Sequence, residues 1–85
     1  MRLRAEPGEL RKWFSEGVEI GATHLIVFYD PYDHIDERTF VTSDESPWVI
    51  WDRLAVNFVV RAIYDLGADM EEQVIQEPPP FNLPL

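Results

Sequence analysis

The chain has 85 residues, 46% of them hydrophobic and 13% aromatic, enough apolar matter for one small core and too little for two. Lys and Arg number 7 against 16 Asp and Glu, a net charge of -9, which argues against direct binding to nucleic acid or to an anionic membrane. There is no cysteine, so disulfides, thiolate catalysis and cysteine-based zinc sites are excluded. No apolar run approaches the ~20 residues of a membrane span. The opening Met1-Arg2-Leu3-Arg4 lacks the apolar stretch of a secretory signal. A soluble, cytoplasmic protein is the expectation.

The first element is a helix. Pro7 suits its first turn, where a missing N–H costs nothing. Leu10, Trp13, Phe14, Gly17 and Val18 then recur at helical spacing. Glu9, Arg11, Lys12, Glu16 and Glu19 fall largely off that face. Gly17 costs helix propensity, ~1 kcal/mol against Ala, and is expected where the helix lies close on a sheet. Gly21 is placed to end the helix in the left-handed conformation.

Thr23 to Tyr29 reads as a strand. Leu25, Ile26, Val27 and Phe28 are consecutive and apolar, so both faces of this strand are expected to be buried. Asp30 to Glu37 reads as an acidic connection of about eight residues, long for a hairpin. A second, short strand is expected over Arg38 to Thr42.

Ser46 and Pro47 form a helix start, an N-cap hydroxyl followed by proline at the first helical position. Two readings follow. One helix running from Pro47 to Leu66 keeps the spacing of Trp51, Leu54, Ala55, Phe58, Val59, Ala62 and Ile63. Alternatively the helix stops near Val56 and Phe58 to Tyr64 is a third strand. The β-branched Val56, Val59, Val60 and Ile63 favour the strand. Asp69 then caps a short helix, Met70 to Gln76, and Pro78, Pro79 and Pro80 end it.

Several of these residues occur together elsewhere. Leu10-x-x-Trp13-Phe14-x-x-Gly17-Val18, then Gly21-Ala22-Thr23-His24-x-x-Val27, then Asp30-x-x-Asp33, resembles a group of small uncharacterised bacterial and phage proteins. Ile63-Tyr64-Asp65-Leu66 followed by Asp69-x-Glu71-x-Gln73 is similar to a second signature of that group. The resemblance covers most of the chain. It implies the order helix, strand, strand, helix, strand, helix, and no activity. The acidic loop and the Pro-rich tail depart from the group's pattern.

Chemistry has few footholds. Asp30, Asp33, His34, Asp36 and Glu37 are the residue types that ligate a hard divalent cation, with Asp33, His34 and Asp36 the nearest to a ligand set. Their spacing is not that of an EF-hand, and a solvated acidic turn is the plainer reading. His24 shares a strand face with Ile26 and Phe28. It would serve as a general base if Asp30 or Asp65 oriented it, but no nucleophile accompanies it. A core or sheet-edge histidine with one satisfied hydrogen bond is the plainer reading. The glycines are scattered and form no phosphate loop, so no cofactor is expected.

The remaining signal is the charge. Acidic side chains on every segment steer a protein toward basic partners, often ones that handle nucleic acid. They also simply aid solubility. Trp13 reads as core. Trp48 and Trp51 lie on one side of the second helix and either close the core or anchor an interface. The tail is either a polyproline-type ligand or a cover for its own sheet through Phe81 and Leu83.

Together these readings predict one α+β domain over residues 1–77 with a Pro-rich tail over 78–85. Its small antiparallel sheet of about three strands carries helices packed on one face, in the order α-β-β-α-β-α. The other face would be covered by the tail or by a second copy in a homodimer. The expected function is non-catalytic binding of a basic protein partner. Asp30, Asp33, Asp36, Glu37, Asp44, Glu45 and Trp48 are the candidate contact residues. The narrower form is a phage or mobile-element inhibitor of a nucleic-acid-handling host protein. The alternatives are a metal-binding domain, or small metal-dependent enzyme, built on Asp30–Glu37, and a domain that only oligomerises.

Overall fold

The computed structural model of the chain describes residues 5–84. In chain order its elements are α1 (Pro7–Glu19), β1 (His24–Asp30), β2 (Ile35–Val41), α2 (Pro47–Ala55), β3 (Val59–Asp65) and α3 (Met70–Val74). This is the expected α+β order around an antiparallel sheet of three strands, arranged β2-β1-β3. β1 is the central strand, and Leu25, Ile26, Val27 and Phe28 are all buried. A strand with neighbours on both sides and layers on both faces needs such a run.

α1 begins at Pro7 and ends as its glycine predicts. Gly21 has φ 79. The Ala22 N–H donates to the Gly17 carbonyl at 2.9 Å and the Gly21 N–H to that of Val18 at 3.1 Å. This pair of bonds is the Schellman motif, which only a left-handed residue permits. Trp13, Phe14 and Gly17 are buried. A Cβ on Gly17 would stand 2.6 Å from Leu66 Cδ1 and 3.0 Å from Phe40 Cε1, so the missing side chain sets how closely helix and sheet approach.

β2 starts at Ile35, earlier than the expected Arg38, and ends at Val41. Half of the acidic connection is therefore strand, and the turn is only Pro31 to His34. Asp30 Oδ1 makes that turn, accepting from the Tyr32 N–H at 2.8 Å and the Asp33 N–H at 3.3 Å. His34 takes φ 55 to close it.

α2 stops at Ala55, and the Phe58 N–H bonds back to the Leu54 carbonyl at 2.9 Å. The strand reading of Phe58–Tyr64 therefore holds and the long helix does not form. Ser46 stands at the N-cap of α2 but makes no side-chain cap bond. The preceding turn is closed instead by Glu45, whose Oε1 accepts from the Thr42 N–H at 3.0 Å. Asp69 does cap α3, accepting from the Glu72 N–H at 3.0 Å. α3 ends at Val74, short of the expected Gln76.

The helices do not share one face. α1 packs on the side carrying Leu25, Val27, Ala62 and Tyr64, together with Trp13, Phe14 and Leu66. α2 packs on the opposite side, where Ile50, Trp51 and Leu54 lie against Ile26, Val41 and Ile63. Sequence periodicity identifies which residues of a helix are apolar but not which face of the sheet receives them.

The tail completes the α2 side. Leu83 packs on Ile26, Val41 and Ile63. The Ile63 N–H donates to the Pro80 carbonyl at 2.8 Å, and its carbonyl accepts from the Asn82 N–H at 2.9 Å. The tail thus lies along β3 as a short parallel bridge, Ile63 to Phe81. Buried Gln73 joins three segments. Its Oε1 accepts from the Asp65 N–H and from Asn82 Nδ2, each at 2.7 Å. Its Nε2 donates to the Asp65 carbonyl at 2.8 Å and the Asp69 carbonyl at 3.0 Å. All four of its hydrogen-bonding positions are used, and β3, α3 and the tail are locked together.

Candidate partner-binding surface

The predicted contact residues separate into three places. Asp30 and Asp33 lie on the β1–β2 hairpin. Asp44 and Glu45 lie in the β2–α2 turn, at the opposite end of β2. Asp36 and Glu37 lie within β2 and, as neighbours in a strand, point to opposite faces. Trp48 is at the start of α2, about half exposed, with its indole N–H donating to the Pro84 carbonyl at 2.6 Å. Its ring meets Trp51 edge to face at 6.2 Å.

Asp36 is not part of an exposed acidic patch. It is 7% exposed. Its Oδ2 accepts from the Ala5 N–H at 2.6 Å and its Oδ1 pairs with Arg61 Nε at 3.2 Å. The Arg61 guanidinium also stands 4.8 Å from the centre of the Tyr29 ring. Arg61 reaches this position through a register shift. Val27 pairs with Ala62 but Phe28 pairs with Val60, so Arg61 is the extra residue of a β-bulge. The sequence holds only one clue to this arrangement, a lone arginine in the apolar run Val59 to Ile63.

The other candidates differ from Asp36 in their partners. Asp44 accepts from the Thr42 hydroxyl at 2.6 Å and Glu45 from the same hydroxyl at 2.9 Å. The Thr42 hydroxyl first, and then a backbone N–H, hold the Asp44 carboxyl below the usual range. The ion pairs among the described residues are Arg11 with Glu71 at 2.9 Å, Arg38 with Glu16 at 3.1 Å, and Arg61 with Asp36. Asp30, Asp33, Glu37, Asp44 and Glu45 are in none of them. Among the described residues their carboxylates meet no cation.

The metal candidates are not gathered. Among the described residues no group of three or more His, Asp or Glu side chains is placed to hold a metal ion. Asp30 is spent on turn amides, His34 Nδ1 lies 3.0 Å from the Tyr29 hydroxyl, and Asp36 is paired with Arg61. His24 stands opposite Asp65 in the β1–β3 register. Its Nδ1 contacts Thr23 Oγ1 at 3.0 Å, while Asp65 Oδ1 accepts from the Gly67 N–H at 2.8 Å. No hydrogen bond joins histidine and carboxylate among the described residues.

A cavity of about 180 Å³ on the α1 side is lined by Leu10, Val27, Val59, Ala62 and Tyr64, with Asp36 and Arg61 at its polar end. Tyr64 is 3% exposed, and its phenol is pushed up to about 12 by burial first and by Glu77 second.

No helix among the described residues is long and apolar enough to cross a membrane. No family model matches the chain, and no curated protein or solved structure matches it. The resemblance to small bacterial and phage proteins stands on the quoted residues alone.

Proposed function

We propose that the protein is a non-catalytic binding domain that docks on a basic protein partner through the acidic border of β2. One observation carries this reading. Among the described residues the five carboxylates at the two ends and middle of β2 meet no cation, whereas Asp36, the one acid of that strand facing inward, does. Uncompensated charge at fixed positions steers a cationic surface and selects against anionic ones. Half-exposed Trp48 stands near the β2–α2 end of this border, the kind of side chain that anchors an interface. The narrower reading is an inhibitor of a nucleic-acid-handling host protein, supported by the charge and by the phage resemblance. It places carboxylates where such a partner would otherwise meet phosphates.

The test is retention of partners on immobilised protein at low and high salt, with the eluted proteins identified by mass spectrometry. The reading expects a basic, nucleic-acid-binding protein held at low salt and shed at high salt. The D44N/E45Q double variant should retain less of it. A partner bound tightly without regard to ionic strength, or a folded protein that retains nothing, would overturn the reading.

A further inference from the structure

We propose that the outer edge of β2 takes up an extended, Arg- or Lys-bearing segment of the partner as an added strand. This rests on the acidic-docking reading and specifies the form in which the partner binds.

The hydrogen-bond alternation of the sheet identifies the open groups. Ile63 turns its N–H and carbonyl to the tail, away from β1. In an antiparallel ladder, successive residues bond to opposite sides. Tyr64 and Ala62 therefore bond to Leu25 and Val27, and the intervening Ile26 turns to β2. It follows that Glu37, Thr39 and Val41 bond to β1, while the N–H and carbonyl groups of Asp36, Arg38 and Phe40 face outward. Among the described residues nothing pairs with them.

Edge strands are usually guarded by proline, by bulges or by charged side chains lying over the edge. β2 has no proline, and its register with β1 is unbroken from Ile35 to Val41. Its charged side chains on the α1 side are drawn inward. Asp36 is held by Arg61, and Arg38 is held by Glu16 at 3.1 Å and over the Trp13 ring at 5.5 Å. The opposite edge of the same sheet is already occupied by an extended segment, the tail on β3. Among the described residues one edge is closed and the other is open.

Charge identifies the occupant. A seven-residue strand spans ~20 Å, with Asp30 and Asp33 beside one end, Asp44 and Glu45 beside the other, and Glu37 between them. A segment with cations at both ends meets an acid at each. A second copy does the reverse. Antiparallel pairing of two β2 edges about a two-fold axis sets the hairpin of one copy against the β2–α2 turn of the other, carboxylate to carboxylate.

The test is amide hydrogen exchange followed by NMR, with a synthetic peptide probe whose valine–threonine core lies between two pairs of arginines. In the free protein the Thr39 amide should exchange slowly and those of Asp36, Arg38 and Phe40 quickly. Adding the peptide at low salt should slow those three amides by at least ~10-fold, and high salt should restore their rate. Arg38→Pro removes one outward N–H at a position where an edge strand tolerates proline. It should abolish the protection of Asp36 and Phe40 while the Thr39 amide stays slow, which shows that the sheet is intact. Peptide binding that leaves all three amides fast would overturn the edge proposal and leave acidic docking standing. Protection that grows with protein concentration without peptide would overturn it in favour of a second copy. A peptide that does not bind at low salt would count against both.

Discussion

On the α1 side of the sheet seven side chains are buried together, Trp13 and Phe14 among them, while on the α2 side, among the described residues, three are. The same strands supply both faces, so β-propensity does not separate them. The covering layer does. α1 has thirteen residues and pushes two aromatic rings and a glycine into the sheet. α2 has nine, none of them buried, and needs Leu83 of the tail to complete its cover. A sheet face is closed by the depth of what lies on it as much as by its own apolar residues.

The largest test of this contrast compares two truncations. Phe14→Ala should cost ~3–5 kcal/mol, the range for emptying a buried aromatic site. Leu54→Ala on the half-buried face of α2 should cost about 2 kcal/mol, the low end of the leucine range. Urea unfolding measures both, and equal losses would erase the distinction between the faces. Next is removal of the tail after Glu77. It takes away two backbone hydrogen bonds at ~1 kcal/mol each together with the packing of Leu83. The urea midpoint should fall and tryptophan emission should shift to the red as Trp48 loses Pro84. An unchanged midpoint would mean that α2 closes its side alone.

The smallest effect sharpens the α1 side. The Tyr64 phenol titrates at about 12 in the fold against 10.0 when unperturbed. Between those values the folded chain keeps a proton that the unfolded chain releases. The contribution is full below the lower value and is lost as pH rises through the higher one. Stability should therefore decline across that window, and Tyr64→Phe should flatten the decline. An identical slope in the variant would place the phenol in water.

Much of the fold is legible in the sequence because single residues carry it. Gly21 ends α1, Asp69 starts α3, Gly17 marks a close approach, and the β-branched run after Val56 selects strand over helix. What escapes depends on pairs. Asp36 reads as loop because a charged residue seldom lies buried in a strand, and its partner Arg61 is remote in sequence and turned inward by a bulge. Gln73 reads as one more polar residue of a short helix, although it ties three segments together. The border of β2 is half legible. Its acids are visible as a cluster, but their distribution along a strand edge, and the exclusion of Asp36 from them, require the register.

The bulge at Arg61 has a geometric consequence of its own. It shifts the phase of β3 by one residue. Beyond it, Phe58 and Val60 stand on the α2 side, where the Phe58 ring meets Phe28 at 4.9 Å. In an unbroken strand both would share the face of Ala62 and Tyr64 and emerge beneath α1. The insertion lets Val60 oppose Phe28 on the α2 side although it is two residues from Ala62, which opposes Val27 on the α1 side. Deleting that one residue would straighten the ladder and leave every upstream side chain on its present face, but would take from Asp36 its only ion-pair partner among the described residues.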